Sequence, residues 1–229
     1  MKTLTNPAVG RTSRLIQSVP QDLPVALLIR HSARNDIANG ETGIEVPLND
    51  VGVHMCKELG CELVGRVRSV RSSPVLRCVQ TAQLLAQAAS SVSEVILDKF
   101  LGAPGAYVLD EQQAWVNWLA RGNEGVIQHL VSGVGALPGM ADPVKAANNL
   151  MMHMFDCIGG EPGLHLFVSH DSIVAPTVAR ALDQDLVKDQ WPDYLDAAAF
   201  WQKQDDWWVA FREFSKVNLE TLVASDGLS

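Results

Sequence analysis

The polar and apolar positions of the chain fall into alternating blocks. Residues 1–22 show weak periodicity and read as an N-terminal arm, partly ordered at best. Pro24-Val25-Ala26-Leu27-Leu28-Ile29 is a continuous apolar run, which suits a central parallel strand covered on both faces. A loop runs from Arg30 to Leu48. Asn49 then reads as an N-cap with Asp50 in the first turn, and Met55, Leu59 and Leu63 recur at helical spacing. Residues 68–72 predict a short strand. Ser73-Pro74 predicts an N-cap followed by proline at the first helical position, and Val75, Val79, Ala82 and Ala86 form one apolar helical face. A third strand is predicted over 93–100. The Gly/Pro-punctuated stretch after it holds two short helices at about 112–119 and 125–131, and a longer helix is predicted over 143–158. Leu164-His165-Leu166-Phe167-Val168 predicts another buried strand, followed by a helix over 172–182. Alternation from Ala198 to Phe214, broken at Gln204-Asp205-Asp206, predicts a terminal antiparallel hairpin.

Strands alternating with helices imply an α/β fold, a three-layer sandwich whose mostly parallel central sheet is flanked by helices and ends in a C-terminal antiparallel hairpin. A single domain is expected over residues 23–229, with a cap-like insertion at about 102–142. Sheets of this kind bind ligands outside the carboxyl ends of their strands.

Composition narrows the functional classes. The 229 residues are 47% hydrophobic, and the formal net charge is −8. A broad nucleic-acid or anionic-membrane surface is not expected, because phosphate backbones and anionic lipids need a basic face. No apolar run approaches the ~20 residues needed to cross a bilayer, so a cytoplasmic location is the default. The four cysteines, Cys56, Cys61, Cys78 and Cys157, form no CxxC pair and read as buried free thiols in a reducing compartment. An anionic small substrate stays open, provided that arginines concentrate locally against the global charge.

They do so at strand ends. Arg30-His31-Ser32-Ala33-Arg34 follows the first apolar strand, which leaves His31 exposed at the strand end between two guanidiniums. An arginine fork donates two parallel hydrogen bonds to phosphate, and nearby positive charge keeps an imidazole neutral and nucleophilic. Ser72-Ser73-Pro74-Val75-Leu76-Arg77-Cys78-Val79-Gln80-Thr81-Ala82 puts Arg77 in the first turn of a helix, where free N–H groups favour anions. Val168-Ser169-His170-Asp171 adds a second imidazole and a carboxyl group at another strand end. Each motif alone has a bland reading: a solvated basic loop, a surface arginine, a polar helix cap.

In combination and order these motifs resemble the histidine phosphatase superfamily, which includes the phosphoglycerate mutases and histidine acid phosphatases. The resemblance runs through Leu27-Leu28-Ile29-Arg30-His31, then Pro47-Leu48-Asn49-Asp50-Val51-Gly52, then residues 72–82, and ends around His170. It implies that His31 is a nucleophile that becomes phosphorylated. It also implies that Arg30, Arg34, Arg77 and His170 bind the phosphoryl group, with no metal and no cofactor. The implied activity is hydrolysis of a small-molecule phosphomonoester. Ser32 stands where the family has glycine, and Asn49 where it has threonine. Asp171 after His170 resembles the acid-phosphatase branch, whereas the mutase-like branch takes its proton donor from a glutamate elsewhere. The general acid is therefore open between Asp171 and an acidic residue of the insertion, such as Asp110 or Glu111. A phosphomutase, a non-catalytic binder of phosphorylated ligands and a metallohydrolase using His31, Asp36, His170 and Asp171 are the competing readings, and guanidiniums beside His31 argue against the last. Specificity is expected in residues 32–45 and 102–142. His165 reads as packed in a strand, and Trp115 and Trp118 as helix packing or cleft lining. Nothing in the sequence decides whether copies assemble into a homo-oligomer.

Overall fold

A computed structural model describes residues 6–37, 41–90 and 94–217. Its centre is a seven-stranded sheet: β1 (Pro24–Arg30), β2 (Val67–Ser72), β3 (Ile96–Leu97), β4 (Gly163–Ser169), β5 (Ala197–Lys203), β6 (Asp206–Phe211) and β7 (Phe214–Val217), in the spatial order β3-β2-β4-β1-β5-β6-β7. The first four in that order pair parallel, and β5, β6 and β7 add on antiparallel. The sheet is thus mixed, a correction to the mostly parallel expectation. The expected hairpin is present, and one further strand extends it along the sheet.

Helices α1 (Pro7–Ser18), α2 (Asp50–Glu62) and α3 (Leu76–Ala88) cover one face; α4 (Glu111–Ser132), α5 (Pro143–Ile158) and α6 (Asp171–Leu182) cover the other. The period-2 alternation of the strands sorts side chains between the two layers. Val25, Leu27 and Ile29 of β1 join the core under α1–α3, while Ala26 and Leu28 join the core under α4–α6. A strand buried on both faces must be apolar throughout, and that is why β1 reads as an unbroken hydrophobic run.

Three elements differ from expectation. Residues 7–18 form a helix, not a loose arm. Asn6 caps it by accepting from the Ala8 N–H, and Pro7 opens it. Its inner face carries Thr12 and Ser13 beside Val9, Leu15 and Ile16, so the apolar period is diluted. Thr12 donates to the Leu195 carbonyl and Arg11 pairs with Asp193 and Asp196, contacts invisible to local pattern. The third strand shrinks to Ile96–Leu97 and passes into a short 3-10 turn at Lys99–Leu101; Ser93 of the expected strand lies outside the described residues. Helix α3 starts at Leu76, two residues later than the Ser73-Pro74 signal, and Val75 provides no side-chain cap. The two short helices expected within 102–142 are the halves of α4, which breaks at Gly122 (φ 66°, ψ 173°).

Asn49 does cap α2, accepting from the Gly52 N–H at 2.9 Å. Gly52 has a steric reason: a Cβ there would stand 2.0 Å from the Ala33 carbonyl oxygen. Helix α2 can therefore press against the loop after β1 only with glycine at this position. Cys56 and Cys78 are buried, but Cys61 is exposed and Cys157 partly so, against the expectation of four buried thiols. No helix among the described residues is long and apolar enough to cross a membrane.

Candidate active site

The carboxyl ends of β1, β2 and β4 lie side by side. The His31 N–H donates to the Ser169 carbonyl at 2.8 Å and the Ser73 N–H to the Val168 carbonyl at 2.9 Å, so three chain segments leave the sheet in register. This brings His31, Arg77 and His170 together. Arg77 Nε donates to His31 Nε2 at 3.0 Å, its Nη2 meets His170 Nδ1 at 3.2 Å, and its Nη1 donates to the Gly43 carbonyl at 2.7 Å. The two imidazole centroids are 5.6 Å apart, edge to face.

These contacts define the tautomers. His31 Nδ1 faces the Ser32 carbonyl at 2.8 Å and must carry the proton, which leaves the Nε2 lone pair toward Arg77. His170 accepts from Arg77 at Nδ1 and so carries its proton on Nε2, facing Ser73 Oγ at 3.0 Å. Ser73 is therefore engaged with His170, which explains its failure as a helix cap.

His31 is only 2% exposed, not an open strand-end residue. Burial is the main reason its pKa falls well below the ordinary histidine value, and the neighbouring His170 and Arg77 add to the effect. His170 is pushed down in the same way, by burial first and Arg77 second. Both rings are neutral at neutral pH.

Arg30 and Asp171 form an ion pair at 2.9 Å, with side chains 16% and 18% exposed. Arg30 also donates to the Pro192 carbonyl and lies 4.3 Å over the Tyr194 ring. Burial alone would raise the Asp171 carboxyl, but Arg30, helped by the Ser172 N–H and Arg34, outweighs it and holds the group below the usual aspartate value. Arg34 donates to the Asn35 carbonyl, and the Nε donors of both Arg30 and Arg34 are buried without a partner among the described residues.

A cavity of about 840 Å³ opens above this cluster. His31, Arg34, Arg77, His170 and Asp171 lie on its wall, with residues from both stretches expected to set specificity. Trp115 and Trp118 line it, and Trp118 also packs on the core, so the two alternatives weighed for the tryptophans meet in one helix. Glu111 is on the wall. Asp110 is not: its carboxylate caps α4 by accepting from the Gln113 N–H and Nε2.

Tyr194 packs 5.7 Å from His31 and beneath Arg30, and nothing local marks it. Thr81 Oγ1 accepts from the Ser32 N–H, and Ser32 Oγ donates to the Gly52 carbonyl, so serine in place of glycine is accommodated by α2. His165 is buried between Ser69 Oγ and the Glu161 carbonyl, as a strand-packed residue should be. Elsewhere, Asp98, His153 and Cys157 bring ligand-type atoms within 4.8 Å of one another. There His153 Nε2 already meets Asp98 at 2.7 Å, and Arg71 stands 3.9 Å from the same carboxylate oxygen, supplying the positive charge that a cation would bring.

Residues 26–124 match the model of the histidine phosphatase superfamily (branch 1). A mycobacterial glucosyl-3-phosphoglycerate phosphatase is similar in structure at 17% identity, with 78% of this chain and 90% of that chain covered and a TM-score of 0.52. A phosphoserine phosphatase variant from Entamoeba histolytica, in complex with phosphoserine, is 13% identical over 87% of this chain and all (100%) of that chain, with a TM-score of 0.53. A candidate α-ribazole-5′-P phosphatase from Escherichia coli is 14% identical over 84% of this chain and 96% of that chain, with a TM-score of 0.55. At these identities the likeness establishes a shared fold. No curated protein matches the sequence.

Proposed function

We propose that this chain, whose residues 26–124 match the histidine phosphatase superfamily, belongs to that superfamily and hydrolyses a small phosphomonoester through a phosphohistidine on His31, without a metal. The observation that carries the reading is the neutral His31 ring, whose Nε2 lone pair is held by Arg77 at the base of the cavity. A phosphoryl oxygen can take over the Arg77 donor and so expose that lone pair to phosphorus. Nε2 then forms the N–P bond as the P–O bond to the alcohol breaks, and the leaving oxygen takes a proton from an acid. Water next attacks phosphorus, giving a proton to the carboxylate that the acid has become; the N–P bond breaks and phosphate leaves. Arg34 and Arg77 supply the positive charge that a divalent ion would otherwise bring to the phosphoryl oxygens. Phosphate anion beside His170 would favour its imidazolium, turning it into a further donor. The test is phosphate release from a panel of phosphorylated metabolites after prolonged chelation. The expected result is turnover at an unchanged rate, with inhibition by vanadate. Stoichiometric binding without release would indicate a ligand-binding protein, and activity restored by one metal would indicate a metallohydrolase.

Asp171 is proposed as the general acid. In the free protein it is ionised against Arg30, so it must gain its proton when the substrate's negative charge arrives and raises its pKa. Glu111, on the cavity wall, is the rival; Asp110 is occupied in capping α4. An alkoxide leaves poorly unless protonated, and a positioned acid contributes ~10²–10⁴-fold. Asp171→Ala should slow alkyl phosphates by that factor while barely affecting nitrophenyl phosphate, whose leaving group needs little help. Equal losses on both substrates would make Asp171 a partner of Arg30 only, and the same comparison at Glu111→Gln would then identify the acid.

A further inference from the structure

The cavity is far larger than a phosphoryl group, and its remaining wall has a definite chemistry. Ile37 and Ile44 border it from the loop after β1, and Trp115, Trp118 and Leu119 from α4. Trp115, Trp118 and Leu119 follow the i, i+3, i+4 spacing of one helical face. That face is not simply the core side of α4, because Ala114 and Asn117 are the buried positions there, and Asn117 is tied to the Pro138 carbonyl. Leu119 is 60% exposed and Ile44 49% exposed, although both are large and apolar. Large apolar side chains left open around a concave site mark a surface built to be covered by a ligand.

The charges on the same wall are equally informative. Among the described residues its cations are Arg34 and Arg77, both at the phosphoryl end. The acidic residues Asp36, Glu41 and Glu111 border the space as well, and Glu111 stands one helical turn before Trp115. A second phosphate or a carboxylate on the substrate would find carboxylates and indole rings in place of a guanidinium, and would lose its hydration without compensation. An apolar ring or chain would cover the tryptophans and isoleucines at no such cost.

We propose that this cavity takes phosphomonoesters whose alcohol carries a ring-sized apolar group and no second anion, with Trp115 and Trp118 as the specificity-determining side chains. The proposal rests on the phosphatase reading above and specifies its substrate class. It argues against a phosphomutase cycle on bisphosphates, which would need a second cationic pocket on this wall. The break at Gly122, where a Cβ would meet nothing within 4 Å, lies directly after the tryptophan-bearing half of α4 and also lines the cavity.

Esters with similar leaving-group basicity test this without interference from the chemistry. 3-Phenylpropyl phosphate, propyl phosphate and 3-carboxypropyl phosphate are compared by kcat/KM. The phenyl ester should exceed the propyl ester by about tenfold or more, the scale at which a buried apolar group discriminates, and the carboxylate ester should fall below it. Trp118→Ala should shrink the phenyl-to-propyl ratio to within about threefold through KM, and Trp118→Phe should restore part of it. The corresponding non-hydrolysable phosphonates, titrated calorimetrically into the wild-type protein, should show the same order of affinity. Turnover of all three esters without a phenyl preference would overturn the proposal and leave the phosphatase reading standing. Phosphonates that bind with the phenyl preference while no ester turns over would support the wall assignment and remove the phosphatase. Phosphonates that bind equally, or not at all, would overturn it.

Discussion

Replacing His31 by alanine is expected to remove essentially all turnover while the protein stays folded. The side chain sits in a buried position, but its ring makes a single backbone contact, at Ser32, and the His31 N–H bond to Ser169 does not depend on it. The loss of a buried ring should cost about 3–5 kcal/mol at most, by analogy with large-to-small core changes. No other group can replace it in the proposed chemistry. His170, the nearest imidazole, has its Nε2–H engaged by Ser73 and its Nδ1 by Arg77. Quenching the wild-type reaction with labelled substrate, without acid, should trap label on His31, because a phosphoramidate is acid-labile. A His31→Ala variant that kept near-wild-type turnover would remove His31 from the mechanism. The acid limb of kcat/KM carries a second signature. The free-protein pKa of His31 lies well below its reference of ~6.5. A neutral ring is required for attack, so activity should be retained through pH 6.5 and fall only as the pH drops through the lowered value. An acid limb centred at or above 6.5, once the substrate's own second ionisation near about pH 6 is accounted for, would contradict the buried, neutral assignment.

Arg77→Ala is expected to be nearly as damaging. One guanidinium touches His31, His170 and the Gly43 carbonyl, so it links both imidazoles to the loop that borders the cavity. Hydrogen bonds to charged groups contribute about 1.5–3 kcal/mol each, and two directed at a transferring phosphoryl group would together account for about 10²–10⁴ in kcat/KM. Arg77→Lys should recover only part, since an ammonium cannot reproduce the fork that spans the two rings. The loss should appear in kcat as well as KM, because the contact is tightest when charge develops on the phosphoryl oxygens. An unchanged kcat/KM in Arg77→Ala would return this residue to an ordinary surface role.

Much of this was legible from local pattern. A strand buried on both faces needs an unbroken apolar run, so β1 and β4 stand out, and the residues that follow them necessarily emerge at the carboxyl edge. Arg30, His31, His170 and Asp171 are therefore legible at that edge from the sequence, and Arg77 from a helix start beside the next strand. The cap at Asn49 and the helix over 143–158 were equally local. The internal position of β4 beside both β1 and β2 was not, because strand order depends on which crossovers pack.

What the sequence by itself determined is the set of elements and the residue types at strand ends, because both follow from short-range sterics and from the periodicity of burial. The tertiary structure alone decided the states of those residues. Arg77 meets His31 across 46 positions and Ser73 meets His170 across 97, and only these contacts assign the imidazole protons and divert Ser73 from capping α3. The ion pair that holds Asp171 against Arg30 and the ring of Tyr194 beneath that arginine are likewise products of packing. Helix α1 was hidden for the same reason: its inner Thr12 and Ser13 are satisfied by Leu195 and Glu62, and Arg11 pairs with Asp193 and Asp196, all far away in sequence. Hydrogen bonds and charges act through space over a few ångströms, whereas periodicity reports only which side of an element is dry. Protonation, pairing and the shape of the cavity therefore belong to the fold.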